Sequence, residues 1–371
     1  MKKRSCFLFL ILMIALFIGA ASAAGGDAAD PLISLSYLKN TFSSNVDRSV
    51  SQSLSDSDKK LLNDADAQWQ KILAAAQANV GSEHSAVFQE SRLKQNDILS
   101  GTTGLQIIVL AGEVKAEFPS GAVVDVTAGK EIPSGSTLPL NHRYLVAEDT
   151  TALFTVFSKT AVADYCGTYF LSTSASPDYN AMASALKALT LFRGSDTGFG
   201  QGFDLERAPT RVESLVMLIR LLGEEEEALG CTAKHPFRDV DPWAAPYVAY
   251  AYQKGYSNGV GADTFGSSMN ASVQMYTEFI LRALGYSSTA QSDISDALVR
   301  AVNCGVITGS ECTALQAGAF VRADVVYLSY YALEAPVSGQ SFALYEKLIK
   351  NGVFSASVYR RSTALVSTKR I

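Results

Sequence analysis

The stretch FRDVDPWAAPYVAYAYQKGYSNGV, residues 237–260, combines an aromatic-rich helical pattern with two glycines, Gly255 and Gly259, that stand four residues apart. Taken alone, an aromatic run of this length most simply indicates the buried face of a helix. A pattern that recurs along a chain instead indicates a repeat architecture, in which each unit buries its apolar face against its neighbours. The rest of the chain decides between these two interpretations.

The segment that follows this stretch has two relatives elsewhere in the chain. VQMYTEFILRALG at 273–285 aligns with RVESLVMLIRLLG at 211–223, and FVRADVVYLSYYAL at 320–333 is a looser third copy. A phenylalanine stands seven residues before the start of the first two copies, Phe203 before Thr210 and Phe265 before Ser272.

The front halves of these segments also match one another. GYSNG at 255–259 aligns with GVITG at 305–309, and more loosely with TLFRG at 190–194. Each of the three follows an apolar helical pattern, so each copy predicts a helix–loop–helix unit. The three predicted units lie at about 177–223, 235–285 and 292–334.

The combined pattern resembles the S-layer homology (SLH) family in its usual set of three repeats. The family pattern runs from Phe-x-Asp through an aromatic-rich helix and Gly-x-x-x-Gly to Thr-Arg-Ala-Glu, which opens a second helix. Phe237-Arg238-Asp239 fits the front of this pattern, and Thr210-Arg211-Val212-Glu213 fits the back. The resemblance implies a C-terminal all-α pseudo-threefold bundle whose grooves bind an acidic secondary cell-wall polymer, commonly a pyruvylated glycan.

The resemblance also implies which residues hold the polymer. The forked N–H donors of an arginine match a carboxylate, and an anion near Arg211 would also meet the positive end of a helix. Thr210 and Glu213 are equally explained as a capping box, Asp239 as a helix cap and Trp243 as core. The candidate polymer-binding residues are Arg211, Arg322, Asp239, Trp243, Gly255, Gly259, Glu213 and Asp324.

The three units depart from the family pattern in different places. The second has Ser272-Val273-Gln274-Met275 where the arginine and the acid should stand, and the first and third lack the opening Phe-x-Asp. At most two grooves are therefore expected to bind polymer, those served by Arg211 and Arg322.

The remaining chain predicts a multidomain α+β protein. Residues 101–174 hold short β-branched runs between turn residues, which predict a small all-β sandwich or barrel. Residues 24–100 are predicted as a helical segment, with one apolar stripe that begins near Ser55 and stops near Gly81. Residues 336–371 are predicted as a helical tail.

The first residues are typical of a secretory signal peptide over residues 1–23. Lys2, Lys3 and Arg4 precede an apolar stretch, and Ala21-Ser22-Ala23 suits signal peptidase. The stretch is shorter than a membrane span, so we expect a secreted protein without a span after cleavage, with an uncleaved anchor as the alternative. The four later cysteines, Cys166, Cys231, Cys304 and Cys312, fit two disulfides as well as four thiols.

Other function classes find little support in the sequence. A net charge of −5 argues against a nucleic-acid partner, and the acidic run 224–227 fits a solvated helix end. No His-Glu-x-x-His motif or Walker phosphate-binding loop is present, and the one histidine of the β segment, His142, fits a structural role. We therefore expect no enzyme activity, cofactor or metal.

Two functions follow from these observations. The first is an exported protein of the cell wall or S-layer, anchored non-covalently to a secondary cell-wall polymer through the SLH-like repeats. The alternative is an envelope assembly or scaffold protein whose degenerate repeats are structural. In that case the β segment or the helix, within residues 24–175, binds another protein.

Overall fold

The computed structural model describes residues 41–79, 83–194, 202–286 and 294–371, so the predicted signal peptide at 1–23 lies outside the described residues. The first element is a long helix, α1 (Ser43–Asn79). It begins well before the predicted start at Ser55, because Val46 and Val50 extend the apolar stripe towards the N-terminus. Both side chains are exposed. From Leu73 onward the chain forms one compact unit, and most of α1 lies outside it.

Ten antiparallel strands follow α1 and form a single sheet. The sheet order is β6-β5-β8-β3-β10-β2-β9-β4-β7, and β1 pairs with β10 off this path. The two edge strands, β6 and β7, are joined by only three residues, 133–135, so the sheet curls into a nearly closed barrel. The strands are β1 (Glu83–Lys94), β2 (Ile98–Thr102), β3 (Gln106–Ala111), β4 (Val114–Glu117), β5 (Ala122–Asp125), β6 (Lys130–Ile132), β7 (Ser136–Thr137), β8 (Arg143–Ala147), β9 (Thr151–Val156) and β10 (Thr160–Ser172).

The prediction that residues 24–100 are helical is wrong for β1 and most of β2, which lie inside that segment. Most side chains in the first half of β1 are exposed, so its sequence lacks the alternation that marks a half-buried strand. Its conformation is set instead by pairing along β10, from Glu83 opposite Tyr169 to Lys94 opposite Thr160. Tertiary pairing decides the structure here, and local propensity does not.

His142 has a structural role in this β domain. Its Nδ1 lies 2.7 Å from Oδ2 of the buried Asp125, and the Ala128 N–H donates to the other carboxylate oxygen at 2.8 Å. Burial raises the pKa of Asp125, but the bonds from His142 and Ala128 outweigh it and hold the pKa below its usual value. The Asp125 carboxylate therefore stabilises the turn between β5 and β6.

This pair predicts an acid-dependent loss of stability. Because the pKa of Asp125 is lower in the folded chain, its contribution is fully present above the unfolded pKa of about 4 and disappears as the pH falls through the folded pKa. In urea unfolding, we expect the free energy of unfolding of wild type to exceed that of Asp125→Asn by about 1–2 kcal/mol at pH 7. This difference should shrink towards pH 3. A difference that does not change with pH would contradict the assignment.

The helices that follow share one apolar core. Within the described residues, α3, α6 and α9 each contact the other two. The helices are α2 (Tyr179–Ala188), α3 (Arg211–Leu221), α4 (Glu225–Leu229), α5 (Ala245–Gln253), α6 (Val273–Ala283), α7 (Ala297–Asn303), α8 (Gly309–Gln316), α9 (Arg322–Ala332), α10 (Leu344–Lys350) and α11 (Ala356–Thr363).

The turn that closes the front half of each predicted unit has the same geometry three times. Thr190, Gly255 and Gly305 occupy the aligned position and all have a positive φ, at 65°, 75° and 72°. In each case the next N–H donates to the carbonyl five residues earlier: Leu191 to Leu186, Tyr256 to Ala251 and Val306 to Ala301. This is the Schellman ending of a helix.

The same turn also ends α3 at Gly223 and α6 at Gly285, and it recurs in the C-terminal tail. Gly352 has a φ of 76°, and the Val353 N–H donates to the Leu348 carbonyl at 3.0 Å. The helices α10 and α11 flank this turn, and α11 packs on α2. The tail is therefore a further helix–turn–helix segment that packs on the first predicted unit.

Candidate functional site

The start of α3 is built by local sequence. Thr210 Oγ1 accepts from the Glu213 N–H, and Glu213 Oε2 accepts from the Thr210 N–H at 2.7 Å, so both arms of the predicted capping box are present. Glu213 is bound further by Arg207, whose two terminal nitrogens donate to its carboxylate at 2.9 and 3.1 Å. Glu213 is therefore fully engaged within the chain.

Arg211 lies in a seam between the first and second predicted units, formed by the start of α3 and residues 265–270 and named here the Arg211 seam. Its side chain is only 2% exposed. Its Nε donates to the Phe265 carbonyl at 2.9 Å and its Nη2 to Ser257 Oγ at 3.0 Å. The rings of Phe265 and Phe279 lie 5.1 and 4.9 Å from the guanidinium carbon. The guanidinium is thus held rigidly between two aromatic faces.

The backbone N–H of Arg211 is not free for an anion, contrary to the prediction. It donates to the Met269 carbonyl at 2.7 Å, and the Val212 N–H faces the Ser267 carbonyl at 3.4 Å. Residues of the second unit satisfy the first N–H groups of α3 because the two segments form a short bridge at Thr210 and Asn270. The side chain of Arg211, and not its backbone N–H, therefore remains as a donor for an anion.

Two polar atoms in the Arg211 seam are buried without a hydrogen-bond partner among the described residues. They are Nη1 of Arg211 and Oγ of Ser267. Burial lowers the pKa of Arg211 to about 10, with Arg282 acting in the same direction and Asp239 opposing it. The side chain therefore stays cationic at neutral pH. A buried cation with an unused N–H is a ready donor for an oxygen ligand.

Asp239 shapes the loop beside Arg211 and does not cap α5, whose N-cap is Ala244 without a side-chain bond. The Asp239 carboxylate accepts from the N–H groups of Phe265 at 2.6 Å, Gly266 at 2.7 Å and Ser267 at 3.2 Å. Burial raises its pKa, but these three bonds outweigh it and lower the pKa overall. The predicted helix cap is wrong, because the carboxylate reaches the next loop instead.

The two glycines of the opening stretch have structural roles. Gly255 ends α5 with a positive φ. Gly259 also has a φ of 75°, and a Cβ at this position would collide with the Phe237 ring. Trp243 differs from both, because its indole is 55% exposed, which excludes the core interpretation. The Trp243 side chain therefore faces solvent.

The tyrosines of the opening stretch bind the acidic run after α3. Glu224 accepts from Tyr250 at 3.2 Å and from Tyr256 at 2.9 Å, and Glu225 accepts from Tyr247 at 2.9 Å. The prediction of a solvated helix end is therefore wrong for these two glutamates. The tyrosines fix the connection between the first two units, a role that sequence spacing did not indicate.

Arg322 lies in an equivalent seam between the third and first units, formed by the start of α9 and residues 203–209 and named the Arg322 seam. Its Nε donates to the Phe203 carbonyl at 3.0 Å, and its backbone N–H donates to the Arg207 carbonyl at 2.9 Å. Phe203 stands where Phe265 stands in the alignment, so the two arginines make the same backbone contacts. Arg322 is 6% exposed.

Asp324 is paired with the β domain. Its carboxylate is 1% exposed and receives the ammonium of Lys159 at 2.6 and 2.7 Å, together with the Val321 N–H at 3.0 Å. Burial raises the pKa of Asp324, and Lys159 opposes that shift. This predicted ligand residue is therefore engaged by a partner that lies far from it in sequence.

The second unit lacks the arginine, as its sequence indicates, and Val273 is buried at that place. The buried Glu278 on α6 instead binds Arg282 at 2.7 Å and Arg300 from α7. This ion pair holds the second unit to the third without any predicted ligand residue.

The described residues add three general findings. The four cysteines Cys166, Cys231, Cys304 and Cys312 are free thiols. Within the described ranges, no group of three or more metal-ligating side chains comes together. No described helix has the length and apolarity needed to cross a bilayer.

Comparison with known proteins bears on the opening stretch. No curated protein matches the chain. One family model does match, and its segment begins just before Phe237 and ends just before α6, so it covers the Asp239 loop and α5. Residues 236–271 are similar to the S-layer homology domain, the family that the sequence pattern resembles.

Proposed function

We propose that this chain is an exported cell-envelope protein that binds an acidic secondary cell-wall polymer, and that the Arg211 seam holds the acidic group. SLH domains bind such polymers, and residues 236–271 match that domain. We propose a binding role and no catalytic one. The anchoring is non-covalent, so it depends on contacts that wash conditions can disrupt.

The observation that carries this proposal is the unused N–H of Arg211. Its Nη1 has no partner among the described residues, while its Nε and Nη2 are fixed by Phe265 and Ser257. A carboxylate oxygen, such as that of a pyruvate ketal, satisfies this donor with a charge-assisted hydrogen bond. The neighbouring unpartnered Ser267 hydroxyl offers a second contact.

Met269 controls access to this donor in the proposal. Its side chain is partly exposed and lies over Gly266, since a Cβ built on Gly266 would stand 2.8 Å from Met269 Sδ and 3.5 Å from Arg211 Cδ. Methionine is flexible and adapts to neighbouring groups. We propose that it moves aside when the polymer's acidic group enters.

We also propose that three SLH-like units pack about one pseudo-threefold axis. Support comes from the mutual contacts of α3, α6 and α9, and from the equivalent arginine-to-carbonyl bonds at Phe265 and Phe203. The first unit thereby holds the second, and the third holds the first.

Co-sedimentation with purified cell walls tests the function. We expect the full chain without its signal peptide to sediment with intact walls and to remain in solution when the secondary polymer has been stripped from the peptidoglycan. Equal sedimentation with both preparations would contradict the proposal.

Trp243 gives a separate prediction. Because its indole is more than half exposed, Trp243→Ala should leave the unfolding temperature within about 1–2 °C of wild type. If the indole stacks on a sugar ring, the same change should weaken wall binding by roughly 5- to 10-fold. Tyr252, which is also partly exposed on α5, gives a matched aromatic control as Tyr252→Ala. Unchanged wall binding would remove Trp243 from the site.

One observation favours the scaffold alternative as a second candidate. The α1 side chains Val46, Val50, Leu54 and Leu61 are exposed and follow one another at helical spacings. Such a face is typical of a helix that packs on a partner. Oligomers of the full chain in the absence of wall material, dissociated by Leu54→Asp, would support this alternative.

A further inference from the structure

The turn that joins β9 to β10 reaches the start of α9. Lys159, in this turn, donates to both oxygens of Asp324 and lies 3.4 Å from the Ala319 carbonyl. Asp324 is nearly inaccessible, whereas the Lys159 side chain keeps 22% exposure. This ion pair joins the β domain to the third unit.

In the first unit, the acidic residue at the aligned position has a different partner. At α3, Glu213 is neutralised by Arg207, which stands three residues before Thr210. The residue three places before Val321, the aligned position, is Gly318, which has no side chain to offer. Lys159 of the β domain thus supplies the cation that the third unit lacks.

The Arg322 seam also opens towards the β domain. A cleft of about 1020 Å³ separates the two, and its lining includes Val321 and Asp324 on one side and Phe157 and Glu113 on the other. Arg207 lines the same cleft. A polymer that approached the start of α9 through this cleft would meet the Lys159 turn, which already binds Asp324.

We infer that the β domain is a built-in occupant of the third unit's groove, so that the chain binds polymer at the Arg211 seam alone. This inference rests on the proposed function, because it sets the number of polymer sites. The absence of a basic side chain at Gly318 and the presence of Lys159 are then two parts of one arrangement. The β domain holds the third groove, and the Arg211 seam, which the acidic group enters when Met269 moves aside, remains the one binding site.

Calorimetric titration with short fragments of the secondary polymer tests the inference. We expect one fragment per wild-type chain. In the double variant Lys159→Glu with Gly318→Arg, the new glutamate repels Asp324 and expels the turn, while the introduced guanidinium pairs with Asp324 as Arg207 does with Glu213. A Cβ at Gly318 meets no atom within 4 Å, so this position accepts a side chain. We expect two fragments per chain in the double variant.

Lys130→Glu is the matched control, because it makes the same charge change on an exposed lysine of β6, a strand that pairs with β5. It should bind one fragment. Two fragments on wild type, or one fragment on a folded double variant, would overturn the inference. No binding by any form would instead contradict the proposed function.

Hydrogen exchange on wild type gives a second measurement that needs no variant. Saturating polymer fragments should protect residues 265–270 and leave residues 203–209 and the 157–160 turn unchanged. Protection of both seams to a similar degree would also overturn the inference.

Discussion

Arg211→Ala should reduce binding to the secondary polymer by roughly 10- to 150-fold, which corresponds to the roughly 1.5–3 kcal/mol of a charge-assisted hydrogen bond. The reason is that Nη1 is a buried and unused donor in the Arg211 seam. The same change removes the bonds to Phe265 and Ser257, so some loss of stability is also expected. Binding must therefore be measured below the unfolding transition of the variant.

Two further variants separate charge from fold in this experiment. Arg211→Lys keeps the positive charge but loses the forked donor, and it should bind with an affinity between those of wild type and Arg211→Ala. Arg238→Ala removes an exposed arginine that pairs loosely with Asp263 in the same region, and it should bind like wild type. A folded Arg211→Ala that binds polymer as tightly as wild type would show that Arg211 is purely structural.

Glu311→Ala should lower the free energy of unfolding by about 3–5 kcal/mol, the usual cost of breaking a buried ion pair from one side. Glu311 is 0% exposed. Its carboxylate accepts from Arg370 at 2.6 and 2.8 Å and from Tyr327 at 2.7 Å. Burial raises its pKa, but these partners outweigh burial and lower it, so the group is charged at neutral pH. Its removal leaves the Tyr327 hydroxyl and Nε of Arg370 without their acceptor, while Nη2 of Arg370 keeps only the Val306 carbonyl.

Urea unfolding measures this effect, with Glu226→Ala as the control for an exposed glutamate. The control should lie within about 0.5 kcal/mol of wild type. Because Glu311 lies on α8 and the Arg211 seam on α3, polymer binding by folded Glu311→Ala should stay close to the wild-type value. If the free energy of unfolding falls by less than about 1 kcal/mol, the bonds from Glu311 to Arg370 and Tyr327 are not the main contact between the tail and the third unit.

The features that the sequence predicted correctly are local ones. The capping box of Thr210 and Glu213 spans four residues, and the three predicted loops turn at the aligned positions Thr190, Gly255 and Gly305. In both cases the partners are neighbours in the chain. The types of neighbouring residues are therefore enough to predict the geometry of these local features.

The features that the sequence missed depend on distant partners. Asp239 resembles a helix cap, yet it binds three N–H groups of a loop more than twenty residues away. Asp324 resembles a ligand residue, yet Lys159 of the β domain takes it. Strand β1 resembles a polar helical segment until β10 pairs with it. The spacing of residues in one sequence does not indicate which distant group will bind a given side chain.

The seams illustrate the same division between local and distant information. The alignment of Arg211 with Arg322 predicted equivalent positions, and the structure shows that both bind a phenylalanine carbonyl of another unit. The alignment did not predict that both guanidinium groups are buried. Burial follows from how the units pack, and the repeat pattern fixes only which residues correspond.

Polymer binding with and without the acidic substituent tests the central claim most directly. Secondary polymer from the same walls is compared before and after selective removal of its acidic groups, at constant ionic strength and neutral pH. We expect the intact polymer to bind the full chain at least tenfold more tightly, and we expect Arg211→Ala to abolish that difference. Equal affinity of wild type for both polymers would contradict an anion-binding Arg211 seam.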